Sequence, residues 1–165
     1  MTASAAEFIR RLDLVERRLR AHAEATVTWG ALTDPDPLTG ERWEAGQVWA
    51  HVAEFIPYWV REAKQLVEHG RDEPQSFGRT KADPDRLAAI DRDRRSDRTV
   101  LWNRIAREIT GLRVMLAGLD SSAWRCQGRH PTLGQMDLGR LVDEFLIGHL
   151  EQHADQLDAL TPSGN

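Results

Sequence analysis

One cysteine, one tyrosine and no long apolar run set the first limits on this chain of 165 residues. A lone thiol, Cys126, excludes an intrachain disulfide framework and a cysteine-rich zinc site, and it suits a reducing compartment. No stretch approaches the roughly 18–20 apolar residues that a membrane helix requires. Met1 to Glu7 lacks a basic region followed by an apolar core, so no signal peptide is read there and a cytoplasmic location is expected. A net charge of −4 and a pI near 5.9 argue against nucleic acid as the main partner. Internal repeats, low-complexity tracts and convincing strand alternation are also missing. What remains is an ordinary soluble balance, 41% hydrophobic and 29% charged, long enough for one domain over 1–165 with its own core.

The apolar residues recur at helical spacing. Phe8, Leu12, Val15, Leu19 and Ala23 predict a first helix from Ala5 to about Thr28, opened by the capping box Ser4-Ala5-Ala6-Glu7. Gly30 and Asp34-Pro35-Asp36-Pro37 end it. A second helix opens at Trp43–Ala45, carries Val48, Val52, Phe55, Trp59, Ala63 and Leu66, and closes at His69-Gly70. Pro57 removes one backbone hydrogen bond inside it, which predicts a kink. Residues 71–81 read as a loop, and Asp83-Pro84 as an N-cap with Pro at the first helical position of a short piece reaching about Asp97. A third long helix carries Leu101, Ile105, Ile109, Leu112, Leu116 and Leu119 and closes at Gly118. A loop from Ala123 to Met136 leads to Asp137, the expected cap of a final helix ending near Leu160, and the residues from Thr161 should fray. Four long amphipathic helices predict an all-α four-helix bundle.

Two histidines, His149 and His153, stand four residues apart on the final helix, on one face and close enough to reach one ion. On a straight helical wheel they share that face with Leu138, Val142, Phe145, Leu146 and Leu160, so they occupy core positions. A core histidine pair can be satisfied by hydrogen bonds alone. His51 on the second helix lies at the edge of its apolar face, and three imidazoles from two helices would suit a divalent ion such as Zn, Ni, Cu or Fe with positions left open. The di-iron bundle motif Glu-x-x-His and the protease motif His-Glu-x-x-His are both absent.

The segment Trp43-Glu44-Ala45-Gly46-Gln47-Val48-Trp49-Ala50-His51 resembles the first motif of the DinB-like (DinB/YfiT-like) metalloprotein superfamily. Gly148-His149-Leu150-Glu151-Gln152-His153-Ala154-Asp155-Gln156-Leu157 resembles its closing motif, and His130-Pro131-Thr132-Leu133-Gly134 a loop that precedes the last helix in some members. The resemblance covers nearly the whole chain in order. It implies a four-helix bundle of up-down-down-up connectivity and a divalent metal, Zn before Ni, on His51, His149 and His153. It further implies a homodimer and thiol-dependent transferase or isomerase chemistry, in which a low-molecular-weight thiol such as mycothiol attacks a small electrophilic substrate. His149 stands where mycothiol-dependent maleylpyruvate isomerases typically carry Glu, a departure from the isomerase pattern. A non-catalytic metal-binding or interaction bundle, and a metal-dependent hydrolase, are the alternative readings.

Four other residues are candidates for the chemistry. Gln156 shares the histidine face and could orient an imidazole or contact substrate, or simply bond to nearby backbone. Glu54, one turn from His51, could take its second ring proton or face solvent. Tyr58 could line the cleft, or keep its hydroxyl in water. His130 could flank the bundle mouth as an acid or base, or be an exposed loop residue. His22 is expected away from the site, and the tryptophans at 29, 43, 49, 59, 102 and 124 read as packing, some of them near a cleft or dimer face.

Overall fold

The computed structural model describes residues 5–26 and 30–161. Ser4 of the expected capping box, the expected helix end at Thr28, Trp29 and the residues after Thr161 lie outside that range. The elements run α1 (Ala5–Glu24), α2 (Ala45–His69), β1 (Gln75–Ser76), α3 (Pro84–Asp93), α4 (Arg98–Gly118), β2 (Gln127–His130), β3 (Gly134–Asp137), α5 (Leu138–Val142) and α6 (Gly148–Leu160). A short 3-10 turn, Ala123–Arg125, precedes β2, and a π-helical turn, Asp143–Ile147, joins α5 to α6.

The apolar stripes face inward as their spacing demands. Phe8, Leu12, Val15 and Leu19 of α1, Leu101, Ile105, Ile109, Leu112 and Leu116 of α4, and Leu150, Ala154 and Leu157 of α6 are buried in one core together with the apolar face of α2. The caps are where the sequence puts them. Asp83 accepts from Arg86 N at 2.9 Å and Asp137 from Arg140 N at 2.8 Å. Helix α2 continues through Pro57.

Side-chain pairs give the helix directions. Arg11 meets Glu151 and Asp143, and Arg18 meets Asp155 and Asp158, so α1 and α6 run parallel. Arg113 meets Asp13 and Glu16 while Arg20 lies over the ring of Trp102, so α4 opposes α1. Trp59 stacks on Phe145 while Trp43 stacks on His153, so α2 opposes the final rod. The connectivity is up-down-down-up, a four-helix bundle with α1 and α2 on a diagonal.

Two features depart from the sequence reading. A three-stranded sheet closes one end of the bundle, with β1 parallel to β2 and β2 antiparallel to β3. Strands of two to four residues are too short to show alternation, and only the turn glycine Gly134, at φ +74°, marks the hairpin. The other feature is the π-turn, which a straight helical wheel does not contain. Leu138, Val142, Leu146, Leu150 and Ala154 are all fully buried although they recur every four residues. On a straight α-helix that spacing drifts about 40° per step, about 160° in all. The wider turn takes up most of the drift, and both halves of the rod keep facing the core.

Gly148 supports this turn. Its N–H bonds the Asp143 carbonyl across the π-turn, and a Cβ built there would lie 2.6 Å from that oxygen. Gly148→Ala is therefore expected to cost about 1–3 kcal/mol as an overpacking change. That lowers Tm by roughly 2–12 °C in a chain of this size. Gly111→Ala on α4, where nothing lies within 4 Å, is the comparison and should be neutral or stabilising. Equal melting curves for the two variants would contradict the role given to Gly148.

Candidate metal centre

The π-turn delivers His149 and His153 toward α2, where His51 waits one helix across. Their available ring nitrogens all lie within 4.8 Å of one another. His51 Nε2 is 3.3 Å from His149 Nε2, and the ring of His153 is 4.9 Å from His51 and 4.6 Å from His149. His51 and His153 are buried, and His149 is half-buried at the rim.

The outer nitrogens are already committed. His51 Nδ1 meets Glu54 Oε1 at 2.7 Å, and His153 Nδ1 meets Gln156 Oε1 at 2.7 Å. Both oxygens only accept, so both Nδ1 atoms carry the proton and both Nε2 atoms turn their lone pairs into the cluster, that of His51 toward His149 Nε2. His153 Nε2 is buried with no hydrogen-bond partner. Phe55 stacks on His149 at 4.4 Å and fixes the plane of its ring.

Glu54 is itself held. Arg79 Nη2 donates to both of its oxygens at 2.8 and 2.6 Å, and both side chains are more than nine-tenths buried. Burial raises the Glu54 pKa and Arg79 pulls it back down. The Arg79 guanidinium lies 3.9 Å above the ring of Tyr58. The chain that orients His51 therefore runs Tyr58, Arg79, Glu54, His51.

Burial dominates the protonation of the cluster. It holds His51 and His149 well below the usual imidazole range and His153 down to about 4, with mutual repulsion and Arg86 adding to it. An unfolded histidine titrates near 6.5. Below that value the unfolded chain binds more protons than the folded one, so stability rises with pH there and is lost on acidification, by about 1.4 kcal/mol per pH unit per histidine. Thermal melts of the metal-free protein should show Tm falling from pH 7 to pH 5. A flat or rising Tm would contradict this.

The remaining candidates fall outside the cluster. Tyr58 touches Trp59 and the guanidinium groups of Arg61 and Arg79, and burial pushes its hydroxyl up to about 12. His130 is buried among Trp59, Phe77 and Phe145 rather than exposed at the mouth. Its Nδ1 accepts from the N–H groups of Thr132 and Leu133, and burial lowers its pKa, so it anchors the sheet to the bundle as a neutral ring. His22 meets Asp158 at 2.5 Å on the outer seam, and Cys126 is buried. Sequence reasoning missed Arg79 and Arg86. Glu54, the partner of Arg79, and Trp43, the ring beside Arg86, lie 25 or more positions upstream, and no local periodicity marks a residue of the loop or of the short α3 as facing them.

Beside His149 a cleft of about 260 Å³ opens between Asp143, Glu144, Gly148 and Gln152. A half-buried imidazole at an open cleft, backed by two buried ones with oriented lone pairs, suits a divalent ion with positions left for small molecules.

No family model and no curated protein matches the sequence. Solved structures do. YfiT from Bacillus subtilis, a probable metal-dependent hydrolase with an unusual four-helix bundle topology, superposes with a TM-score of 0.70 at 16% identity, over 94% of this chain and 85% of that one. A histidine-to-alanine mutant of the mycothiol-dependent maleylpyruvate isomerase gives 0.69 at 13% identity, over 94% of this chain and 61% of that one, so this chain spans less than two thirds of the isomerase. An uncharacterized protein from Clostridium difficile gives 0.59 at 10% identity, over 96% of both chains. What YfiT and the isomerase share with this chain is the fold, a four-helix bundle with the topology of YfiT.

Proposed function

We propose that this bundle is a divalent-metal-dependent enzyme in which His51, His149 and His153 hold one ion, Zn2+ before Ni2+, and that a low-molecular-weight thiol reacts there with a small electrophile. The observation that carries the reading is the buried, partnerless Nε2 of His153 beside two further imidazole nitrogens. Leaving such an atom without a partner costs about 1–3 kcal/mol, and the donor set fits a borderline-soft ion.

A divalent ion held there supplies a positive charge that favours the thiolate or hydroxide form of a molecule bound to it. The chain does the rest. Glu54 and Gln156 fix the tautomers of His51 and His153, Arg79 keeps Glu54 ionised, and Phe55 sets the plane of His149. Thiol chemistry is supported by likeness of fold to the mycothiol-dependent isomerase. The mildly acidic surface, with no long cationic stripe in the sequence, favours a small-molecule partner over nucleic acid, and a cytoplasmic homodimer completes the reading.

A second reading, metal-assisted hydrolysis, is supported by the likeness to YfiT and by Glu144 in the cleft beside His149, placed to take a proton from water. Glu54 is a poor base because His51 and Arg79 occupy its oxygens. Co2+-loaded protein separates the two. A thiolate charge-transfer band on adding 2-mercaptoethanol supports the thiol reading. Stoichiometric Co2+ without such a band leaves hydrolysis, and no metal uptake, with a melting temperature indifferent to chelation, overturns both.

A further inference from the structure

Three cations on one segment, Arg79, Lys81 and Arg86, project their field onto the histidine cluster. Two of them are neutralised. Arg79 is buried against Glu54, and Lys81 pairs with Asp36 at 2.6 Å on the exposed side. Arg86 is different. It is half-buried, and among the described residues no carboxylate oxygen lies within 4.0 Å of its guanidinium. One of its five N–H donors is engaged, Nη1 to the Lys81 carbonyl at 2.8 Å.

The guanidinium is nonetheless well placed. It lies 5.5 Å from the centre of the Trp43 ring, which meets His51 edge-on at 5.3 Å and lies parallel to His153 at 6.4 Å. Trp43 is pinned in turn, its N–H donating to Thr33 Oγ1 at 2.9 Å and its carbonyl accepting from Thr33 N at 2.8 Å. The three acids whose charge Arg86 feels are otherwise occupied or distant. Glu54 serves Arg79 and His51, Asp83 caps α3 through the Arg86 backbone N–H, and Glu41 sits on the exposed loop before Trp43. Withdrawing a guanidinium from water without a counter-ion is costly, and burial accordingly disfavours its charged form.

We infer that Arg86 is a specificity-determining residue that receives a carboxylate of the small molecule bound at the three-histidine cluster. A planar fork with free donors suits a carboxylate in two-point contact. The inference rests on the cluster being the reaction site, as proposed above.

The test compares mercaptoacetate with 2-mercaptoethanol, which share a thiol and differ in the carboxylate, by the thiolate band of Co2+-loaded protein. The wild type should favour mercaptoacetate by about tenfold or more, the worth of one hydrogen bond to a charged group. Arg86→Gln should remove that preference and leave 2-mercaptoethanol binding within about twofold, while Arg86→Lys, which keeps the charge and loses the fork, should retain part of it. Lys81→Gln should keep the preference. Equal preference in wild type and Arg86→Gln, or equal losses in Lys81→Gln and Arg86→Gln, overturns the assignment in favour of a diffuse field. Succinate, read by the shift in Tm of metal-loaded and metal-free protein, keeps the two readings apart. Succinate stabilisation that depends on Arg86, with no thiolate band, supports the receptor and rejects the thiol chemistry. Stabilisation that survives Arg86→Gln, or no stabilisation at all, rejects the receptor.

Discussion

Replacing His149 with alanine is expected to weaken Zn2+ binding by about 100-fold or more while the metal-free bundle stays folded. Loss of a mere supporting hydrogen bond to a ligand costs 10–100-fold in affinity, and here a ligand itself is removed. His149 is suited to the test because it sits half-buried at the rim. It stacks on Phe55, lies beside the other two imidazoles and approaches His51 Nε2, and none of these is a buried backbone partner. Its loss should therefore cost the metal-free fold about 1 kcal/mol. Zn2+ at 100 times its Kd stabilises the wild type by about 2.7 kcal/mol through mass action, and the variant should show almost none of this at the same concentration. Melting curves with and without chelator read the difference directly. A variant that takes up Zn2+ as tightly as the wild type would remove His149 from the ligand set.

Arg79→Met should be the most destabilising single change in the support of the site, by about 3–5 kcal/mol at pH 7, because it leaves Glu54 as a buried charge without its cation. In a chain of this length that is a Tm lower by roughly 6–20 °C. The pH dependence identifies the cause. Without Arg79, burial raises the Glu54 pKa further, so its deficit belongs to the ionised form and shrinks as the pH falls and the carboxyl takes a proton. The gap between variant and wild type should thus narrow from pH 7 to pH 5, although both lose stability from their histidines over that range. Adding Glu54→Gln to Arg79→Met should recover part of the loss at pH 7. A gap that is constant with pH, or no recovery in the double variant, would assign the loss to packing of the arginine stem.

The helical frame was readable because its determinants are local. Phe8 to Leu19 and Leu101 to Leu116 repeat at the helical period, and Asp83 and Asp137 announce helix starts through side chains that reach backbone three residues on. The partners of His51 and His153 were readable for the same reason, Glu54 and Gln156 lying three residues further along the same helices. What stayed hidden depends on distance or on departure from a regular period. The π-turn at Asp143–Ile147 looks like ordinary helix to any wheel of fixed pitch. His130 was read as a loop residue because the strands that bury it are too short to signal themselves. Arg79 and Arg86 act on residues brought near only by the fold.

The depressed basicity of the three imidazoles has a consequence for stoichiometry. At neutral pH all three are already unprotonated, so an incoming ion displaces no hydrogen ions from its ligands, and loading is nearly proton-silent. Any acid released when a metal and a second molecule enter together must then come from that molecule, and the count of protons per site identifies which species gave one up.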